Sequence, residues 1–522
     1  MRRFIFVLFL VTSFWLLVTG HALAQTTTYT VGNPNETTFY GKFGGFGAEW
    51  DPFFWNTNNL NRGTNQAAWD LITTRIQELN VGIIRMMMQL KWAQAKADLS
   101  QWTWTTPQMQ SVFKYLDFAC QNNIDVILTD WGWAVRGDLY SSPTDMRFAT
   151  GVAEYLKEFI DRRGYTCIKY LVIGNEPDNE IQKDYGQAAY ETMYQNIDTA
   201  LKANGMRPKV KLTAPDMGGQ WDFMKTSISD MKAYVDTYDF HRYASTAETG
   251  NFNLPGTWET LWSHLDLWRG EVNSRDPNAS GKQLLLTEMG NDGGGTNSHP
   301  DIDLFKYAIH MADYGTTTLT TRVNAAITWT MHDIYYFDGG QYMQWGMWRY
   351  LDNNWSIRPW GQAFGLLIKH APKDSIQAPV NGTPPAQPPL STQRVAALKR
   401  PNGGWSLFLV NRDTTAKNIV LNLPQAPTHS FSLYRFDSTS NSSYPNTIAL
   451  PPQSTLTLNA SNTLTLPAES LTVLSENVTS TTPTPPPSTD YDGDGDTDYL
   501  DFLILVRSFT NIFSFNRLVG KL

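Results

Sequence analysis

From about residue 40 to 365 the chain repeats one pattern: a short apolar run, then an amphipathic stretch of helical period. Runs at 44–49, 81–85, 124–128, 168–173, 209–213, 233–240, 283–287 and 325–330 read as strands. Stretches 69–79, 109–119 and 149–162 read as helices between them. A helix after each strand returns the chain to the start of the next, so the strands pair in parallel. Eight such units predict a closed (β/α)8 TIM barrel, and an α/β fold class.

In such a barrel the working face is the end where the strands finish. Those ends carry Glu49-Trp50-Asp51, Arg85, Asp130-Trp131, Asn175-Glu176, Asp216, His241-Arg-Tyr243, Glu288 and Trp329. Polar and aromatic side chains thus collect at every strand terminus, which a random surface does not do.

Beyond the barrel the character changes. Between 370 and 475 the helical period disappears, and short alternating strands are expected at 404–410, 418–423, 431–436 and 470–474. This predicts an all-β sandwich. Residues 26–40 are a candidate extra strand for it. The run 479–488, rich in Thr and Pro, reads as an extended linker. The organisation expected is a leader over 1–24, the barrel over 25–368, the sandwich over 369–476, a linker over 477–489 and a tail over 490–522.

The leader follows from Arg2 and Arg3, an apolar run over 4–18, and Ala22-Leu23-Ala24 before Gln25. The run is short for a membrane span and ends in a small-x-small cleavage pattern, so it reads as a secretory signal. The expected location is extracellular, with no membrane attachment after cleavage. Export permits a disulfide. The two cysteines, Cys120 and Cys167, precede the third and fourth strands, and a bridge and two free thiols are equally compatible with that placement. A net charge of −8 offers nothing to a phosphate backbone, so nucleic acid is not an expected partner. The 19 Trp, 23 Tyr and 26 Phe exceed what the motifs need; most pack a core, and some are free to stack on sugar rings.

Hydrolysis of a glycosidic bond needs two carboxyl groups, one to protonate the leaving oxygen and one to attack the anomeric carbon or activate water. Glu176 and Glu288 end the fourth and seventh strands and face one another across the mouth. Asn175 is placed to donate to a sugar 2-hydroxyl. Arg85 and Tyr243 are placed to donate to Glu288. His241 lies two residues from Tyr243 and so on the same side of its strand. Trp50, Trp131 and Trp329 are candidate sugar platforms. Each residue alone has a plainer reading: a solvated loop carboxylate, an ordinary ion pair, a core ring. Ionised Glu288 near Glu176 is expected to raise the pKa of Glu176.

Ile173-Gly-Asn-Glu-Pro-Asp178 resembles the Asn-Glu-Pro motif of the clan of retaining TIM-barrel glycoside hydrolases that contains families 5, 30 and 39. Leu286-Thr-Glu288 and His241-Arg-Tyr243 are similar to its strand-seven and strand-six motifs. The resemblance implies that Glu176 is the acid/base and Glu288 the nucleophile, working without a cofactor. Val172 and Gly174 depart from the habits of families 5 and 39, which leaves the family within the clan open. A barrel followed by a sandwich is similar to families 30 and 39.

Aromatic clusters at 50–55, 102–104, 131–133 and 345–348 suit a long glycan in an open cleft. The expectation is an endo-acting enzyme on a β-linked, plant-cell-wall type polysaccharide. An exo-acting β-glycosidase and a non-catalytic glycan-binding protein are the alternatives.

The tail carries Asp490, Asp492, Asp494, Asp496, Asp498 and Asp501 around Gly495, the spacing of a calcium loop. Residues 498–509 align with 511–522, with Phe502/Phe515, Leu505/Leu518 and Val506/Val519 identical. This resembles a dockerin, which implies a cohesin-type scaffold as partner. The second repeat lacks its first eight loop positions, so one calcium ion is expected.

Overall fold

The computed structural model describes residues 27–478, apart from 94, 95, 97, 133–139, 180, 246–260, 337–339 and 382–391. The leader, the Thr/Pro run 479–488 and the calcium loop therefore lie outside the described residues. No helix among the described residues is long and apolar enough to cross a membrane.

The first strand, β1 (Thr27–Val31), is followed by β2 (Phe46–Glu49), β3 (Ile83–Met88), β4 (Asp125–Asp130), β5 (Ile168–Ile173), β6 (Lys211–Met217), β7 (Thr237–Ala244), β8 (Gln283–Asn291) and β9 (Ala325–Thr328). Strands β2 to β9 form a closed barrel, with every neighbouring pair parallel and β2 closing on β9. This is a TIM barrel with an added β domain. Parallel strands with helices outside are buried on both faces, and β3, Ile-Ile-Arg-Met-Met-Met, is buried at all six positions.

Two of the helices show how a side chain sets the start by satisfying a free N–H group. Helix Gln66–Leu79 starts three residues before its apolar period because Asn65 accepts from the Ala68 N–H. Helix Pro107–Gln121 is capped by Thr106, whose hydroxyl accepts from Met109. It carries Cys120, which is bonded to Cys167 just before β5.

Strands β6, β7 and β8 run past their expected ends. The pairings of β6 with β7, β7 with β8 and β8 with β9 each shift register, and the extra residue falls in β6 between Ala214 and Met217 and in β8 between Leu286 and Met289. Such bulges add a residue, bend the strand and re-aim its side chains. Strict alternation does not foresee them.

The barrel interior is layered. Ile83, Ile127, Tyr170, Val172, Leu285, Ala325 and Ile327 close its floor as one apolar cluster. Two residues further along three of these strands stand Arg85, Thr129 and Thr287, all buried. The period of two keeps the side chains inward while their chemistry changes from apolar to polar.

After the barrel, β10 (Ile334–Tyr335) and β11 (Tyr342–Met343) make a short hairpin beside the mouth. Helix Pro359–His370 ends the barrel region. Then come β12 (Ile376–Ala378), β13 (Val380–Asn381), β14 (Gln393–Lys399), β15 (Trp405–Asn411), β16 (Lys417–Asn422), β17 (Phe431–Phe436), β18 (Ser454–Leu456), β19 (Ser461–Leu466) and β20 (Ser470–Glu476). They form a six-stranded sheet, β12-β14-β15-β20-β17-β18, and a four-stranded sheet, β13-β1-β16-β19. The first strand of the chain thus sits inside the second sheet, parallel to β16.

In the six-stranded sheet β14, β15 and β20 are buried on both faces. Leu407 and Leu409 pack toward the four-stranded sheet, and Phe408 and Val410 join the barrel's core. Arg394 and Arg412 both pair with Asp313, which is fully buried on helix Phe305–Leu319. The sandwich braces the barrel.

Candidate active site

Strand β5 ends at Ile173, and the turn that follows places Asn175 and Glu176 over the barrel mouth. Gly174 adopts φ +86° and Glu176 φ +46°, the left-handed region that side chains rarely occupy. A strained backbone of this kind is held only where its surroundings over-determine it. Here the Gly174 N–H donates to the Asp130 carbonyl at 2.7 Å, and the Asn179 N–H to the Glu176 carbonyl at 2.9 Å.

Glu288 lies in the irregular stretch of β8, opposite. It is 6 % exposed. Arg85 donates to its Oε1 at 2.5 Å and the Tyr243 hydroxyl to its Oε2 at 2.9 Å. One oxygen of Glu176, one of Glu288 and a ring nitrogen of His241 lie within 4.8 Å of one another.

Arg85 is fully buried and does not reach the cavity. Its five N–H groups all donate: to Thr129 (3.1 Å), Glu49 (2.9 Å), Glu288 (2.5 Å), Asn175 (2.9 Å) and Asp216 (2.7 Å). Arg85 donates to Glu288 as expected, and it is not itself a sugar contact: it acts on the side chains that meet the cavity. A guanidinium only donates, so the Asn175 Oδ1 must face it, and the Asn175 amide N–H groups are left for the cavity.

His241 stands between three carboxyls. Its Nδ1 is 3.1 Å from Glu176 and 3.7 Å from Glu288, and its Nε2 is 3.1 Å from Asp216. Burial opposes a charge on the ring, but Glu288 and Asp216 hold its pKa well above the ordinary value. Burial likewise pushes the Glu176 carboxyl up. The hydrogen bond and charge of His241 outweigh burial and leave Glu176 below its usual range. The expectation of a raised Glu176 is thereby corrected: an imidazolium lies where only the charge of Glu288 was foreseen. Asp216 resists burial through Arg85 and His241 and titrates at about 2.

Two further carboxyls support this set. Glu49, which lines the cavity, is pushed well up by burial and by Asp51. Asp239, beneath Asp216, is pushed up by burial and then by Asp216. In both, burial favours the neutral form. Glu176, His241 and Glu288 also have the spacing of a cation site.

The cavity over these groups has a volume of about 1230 Å³. Its aromatic walls are Trp131, Trp221, Tyr243, Trp268, Trp329, Tyr336 and Trp345. Trp329 and Trp345 stack with ring centres 5.5 Å apart. The loop Gly293-Gly-Gly-Thr296 lines it too, and Gly294 is a glycine for a reason: a Cβ there would stand 2.2 Å from the Trp345 ring.

Trp50 is not a platform. It is 1 % exposed, packs on Trp69 and Tyr115, and donates to His332 at 3.2 Å. It alternates with Glu49, so when Glu49 points inward Trp50 points out to the helices. Phe53, Phe54 and Trp348 are core residues for the same lack of exposure, and Trp102 and Trp104 stack on each other at 5.0 Å. Trp133 lies outside the described residues. Sequence reasoning brought Asn175, Glu176, His241, Tyr243, Glu288, Trp131 and Trp329 to the cavity wall, named Glu49 at a strand end without giving it a role, and missed Trp221, Trp268 and Tyr336. Asp216 had a signal, since it ends a strand. Trp221 and Trp268 had none, because they sit on helices Trp221–Met231 and Leu261–Arg275.

No protein-family model matches the chain, and no curated protein sequence is similar to it. Solved structures are similar in fold. The chain is similar to a family 30 endoxylanase from Clostridium papyrosolvens C71 at 16% identity and TM-score 0.59, over 86% of this chain and 100% of that one. It is similar to a family 39 enzyme from Xanthomonas axonopodis pv. citri at 13% identity and TM-score 0.56, over 88% and 98%. A family 51 arabinofuranosidase from the same organism gives 14% identity and TM-score 0.58, over 86% and 100%. At such identities the likeness is one of fold, shared across three glycoside hydrolase families.

Proposed function

We propose that this protein is a secreted, retaining glycoside hydrolase, endo-acting on a β-linked polysaccharide of the plant-cell-wall type. The observation that carries the reading is the approach of Glu176 and Glu288, with one oxygen of each within 4.8 Å of the other. Retaining enzymes keep their two carboxyls about 5–5.5 Å apart, whereas inverting ones leave about 6.5–9.5 Å for a water molecule. An approach this close supports the retaining case.

Glu288, oriented by Arg85 and Tyr243, attacks the anomeric carbon and forms a glycosyl ester as the leaving oxygen takes a proton from Glu176. Glu176 then removes a proton from water, which opens the ester with configuration retained. In the free protein the proton shared by His241 and Glu176 sits on His241. A sugar that fills the cavity strips water from Glu176, and desolvation favours its neutral form. The Asn175 N–H groups meet the 2-hydroxyl. Trp131 and Trp329 stack on sugar faces.

A cavity of about 1230 Å³ with aromatic rings on several walls supports more than one sugar, which favours endo over exo action. Fold relatives that include an endoxylanase fit a plant polysaccharide. The test is a screen on xylan, mannan, mixed-linkage glucan, cellulose and galactan, with anomeric proton NMR of the first product. Oligosaccharides released with retained configuration are expected. Inverted product would overturn the mechanism, and monosaccharide alone would replace endo by exo action. Binding to a polysaccharide without any cleavage would make the protein a glycan binder instead.

The tail reading stands beside this one. Asp490, Asp492, Asp494, Asp496, Asp498 and Asp501 are proposed to hold one calcium ion, with a cohesin-type scaffold as partner. Calorimetry on the full chain should titrate one ion that a chain ending at Ser488 does not bind; two ions, or none, would refute it.

A further inference from the structure

The geometry points to Asp178 and Gly218 as a positioning pair that fixes the carboxyl of Glu176, and this inference rests on the reading of Glu176 as the acid/base. Asp178 is 2 % exposed. Its carboxylate accepts three backbone N–H groups: Gly218 at 2.8 Å, Gly219 at 2.9 Å and Gln220 at 2.8 Å. The Gln220 side chain returns a bond to the Asp178 carbonyl at 2.6 Å. Successive N–H groups converging on one anion make a nest. Here the anion is internal, and it ties the loop after β6 to the turn after β5.

That tie sets Gly218 against Glu176. A Cβ on Gly218 would lie 2.7 Å from the Glu176 carboxyl carbon, 2.8 Å from its Oε1 and 2.9 Å from the Asn179 Nδ2. Only a hydrogen fits there. Gly218 is not among the glycines of positive φ, so space and not torsion demands it. His241 at 3.1 Å and Asn179 at 3.3 Å hold the carboxyl from other sides. Glu176 has a strained backbone and a half-exposed head, so it needs this wall more than buried Glu288 does.

Alanine at 218 meets the movable ends of two side chains and no backbone among its three nearest atoms. The chain therefore folds and the carboxyl yields. A shift of about 1 Å in a positioned group costs on the order of 100-fold in rate.

The test compares Gly218→Ala and Asp178→Asn with wild type on two aryl glycosides of the sugar found in the polysaccharide screen. One has 4-methoxyphenol as leaving group, which needs a proton to depart; the other has 2,4-dinitrophenol, which does not. For both variants kcat/KM on the first substrate should fall about 100-fold and on the second stay within about threefold, since only protonation is impaired. Azide should raise kcat on the second by relieving the need for a base. A crystal structure of Gly218→Ala should show the Glu176 carboxyl displaced. Equal losses on both substrates, or an unmoved carboxyl, would overturn the inference. Glu176→Ala is the control for the underlying reading: if it lacks the same leaving-group split, the acid/base assignment fails, and the carboxyl position in the Gly218→Ala crystal still decides whether Gly218 is the wall.

Discussion

The two ends of the barrel interior sit only a residue pair apart on the same strands, yet they obey opposite rules. At the floor, Ile83, Ile127, Leu285 and Ile327 are apolar and almost fully buried. At the mouth, Arg85, Asp216, His241 and Glu288 are just as buried, and each is charged or paired with a charge. Burying charge costs several kcal/mol per ion unless it is paired and hydrogen-bonded. The mouth offsets that cost by using all five donors of Arg85, and it gains a site whose groups cannot reorient when the reaction needs them. The floor contributes stability. The mouth consumes some of it.

That contrast can be broken at three points. The largest effect is expected from Glu288→Ala: turnover should drop on the order of 10⁵-fold, about 7 kcal/mol of barrier, while the melting temperature holds or rises. Azide in place of the lost carboxylate should restore part of the turnover. Near-normal activity would remove Glu288 from the mechanism. Leu285→Ala, three residues earlier on the same strand, should do the reverse: a loss of about 2–5 kcal/mol in denaturant unfolding with kcat nearly unchanged. If the two variants behaved alike, the division between floor and mouth would be wrong. The smallest effect concerns His241→Gln. His241 lowers the Glu176 pKa, so its removal leaves burial to raise it. An acid with a higher pKa keeps its proton to higher pH, and the alkaline limb of kcat/KM should move up. A limb that stays put or moves down would show that His241 does not govern Glu176.

The barrel was legible because its signal is repeated eight times and each unit is independent evidence. The carboxyl pair was legible because strand ends in a barrel converge. What the sequence hid has specific causes. Trp50 read as a platform because a strand end looks the same whichever way its last residues point, and one position of phase sends Glu49 in and Trp50 out. The raised pKa of His241 was hidden because it depends on Glu288 and Asp216 together, which two other strands supply. The sandwich strands β18 and β19, Ser-Thr-Leu and Ser-Asn-Thr-Leu-Thr-Leu, are short or mostly polar and resemble loops. The bulges in β6 and β8 leave no trace in a period-two pattern.

The place of β1 has a consequence for how the chain must be assembled. Its parallel partner is β16, and Thr30 meets Asn422 across 392 residues. The barrel lies wholly between them. A chain that folds from its N-terminus can close the barrel while β1 still waits, with its edge N–H and C=O groups open to any other strand. A polypeptide shortened before β16 would therefore keep only the two-residue antiparallel pairing of β1 with β13 and lose the four-residue parallel one.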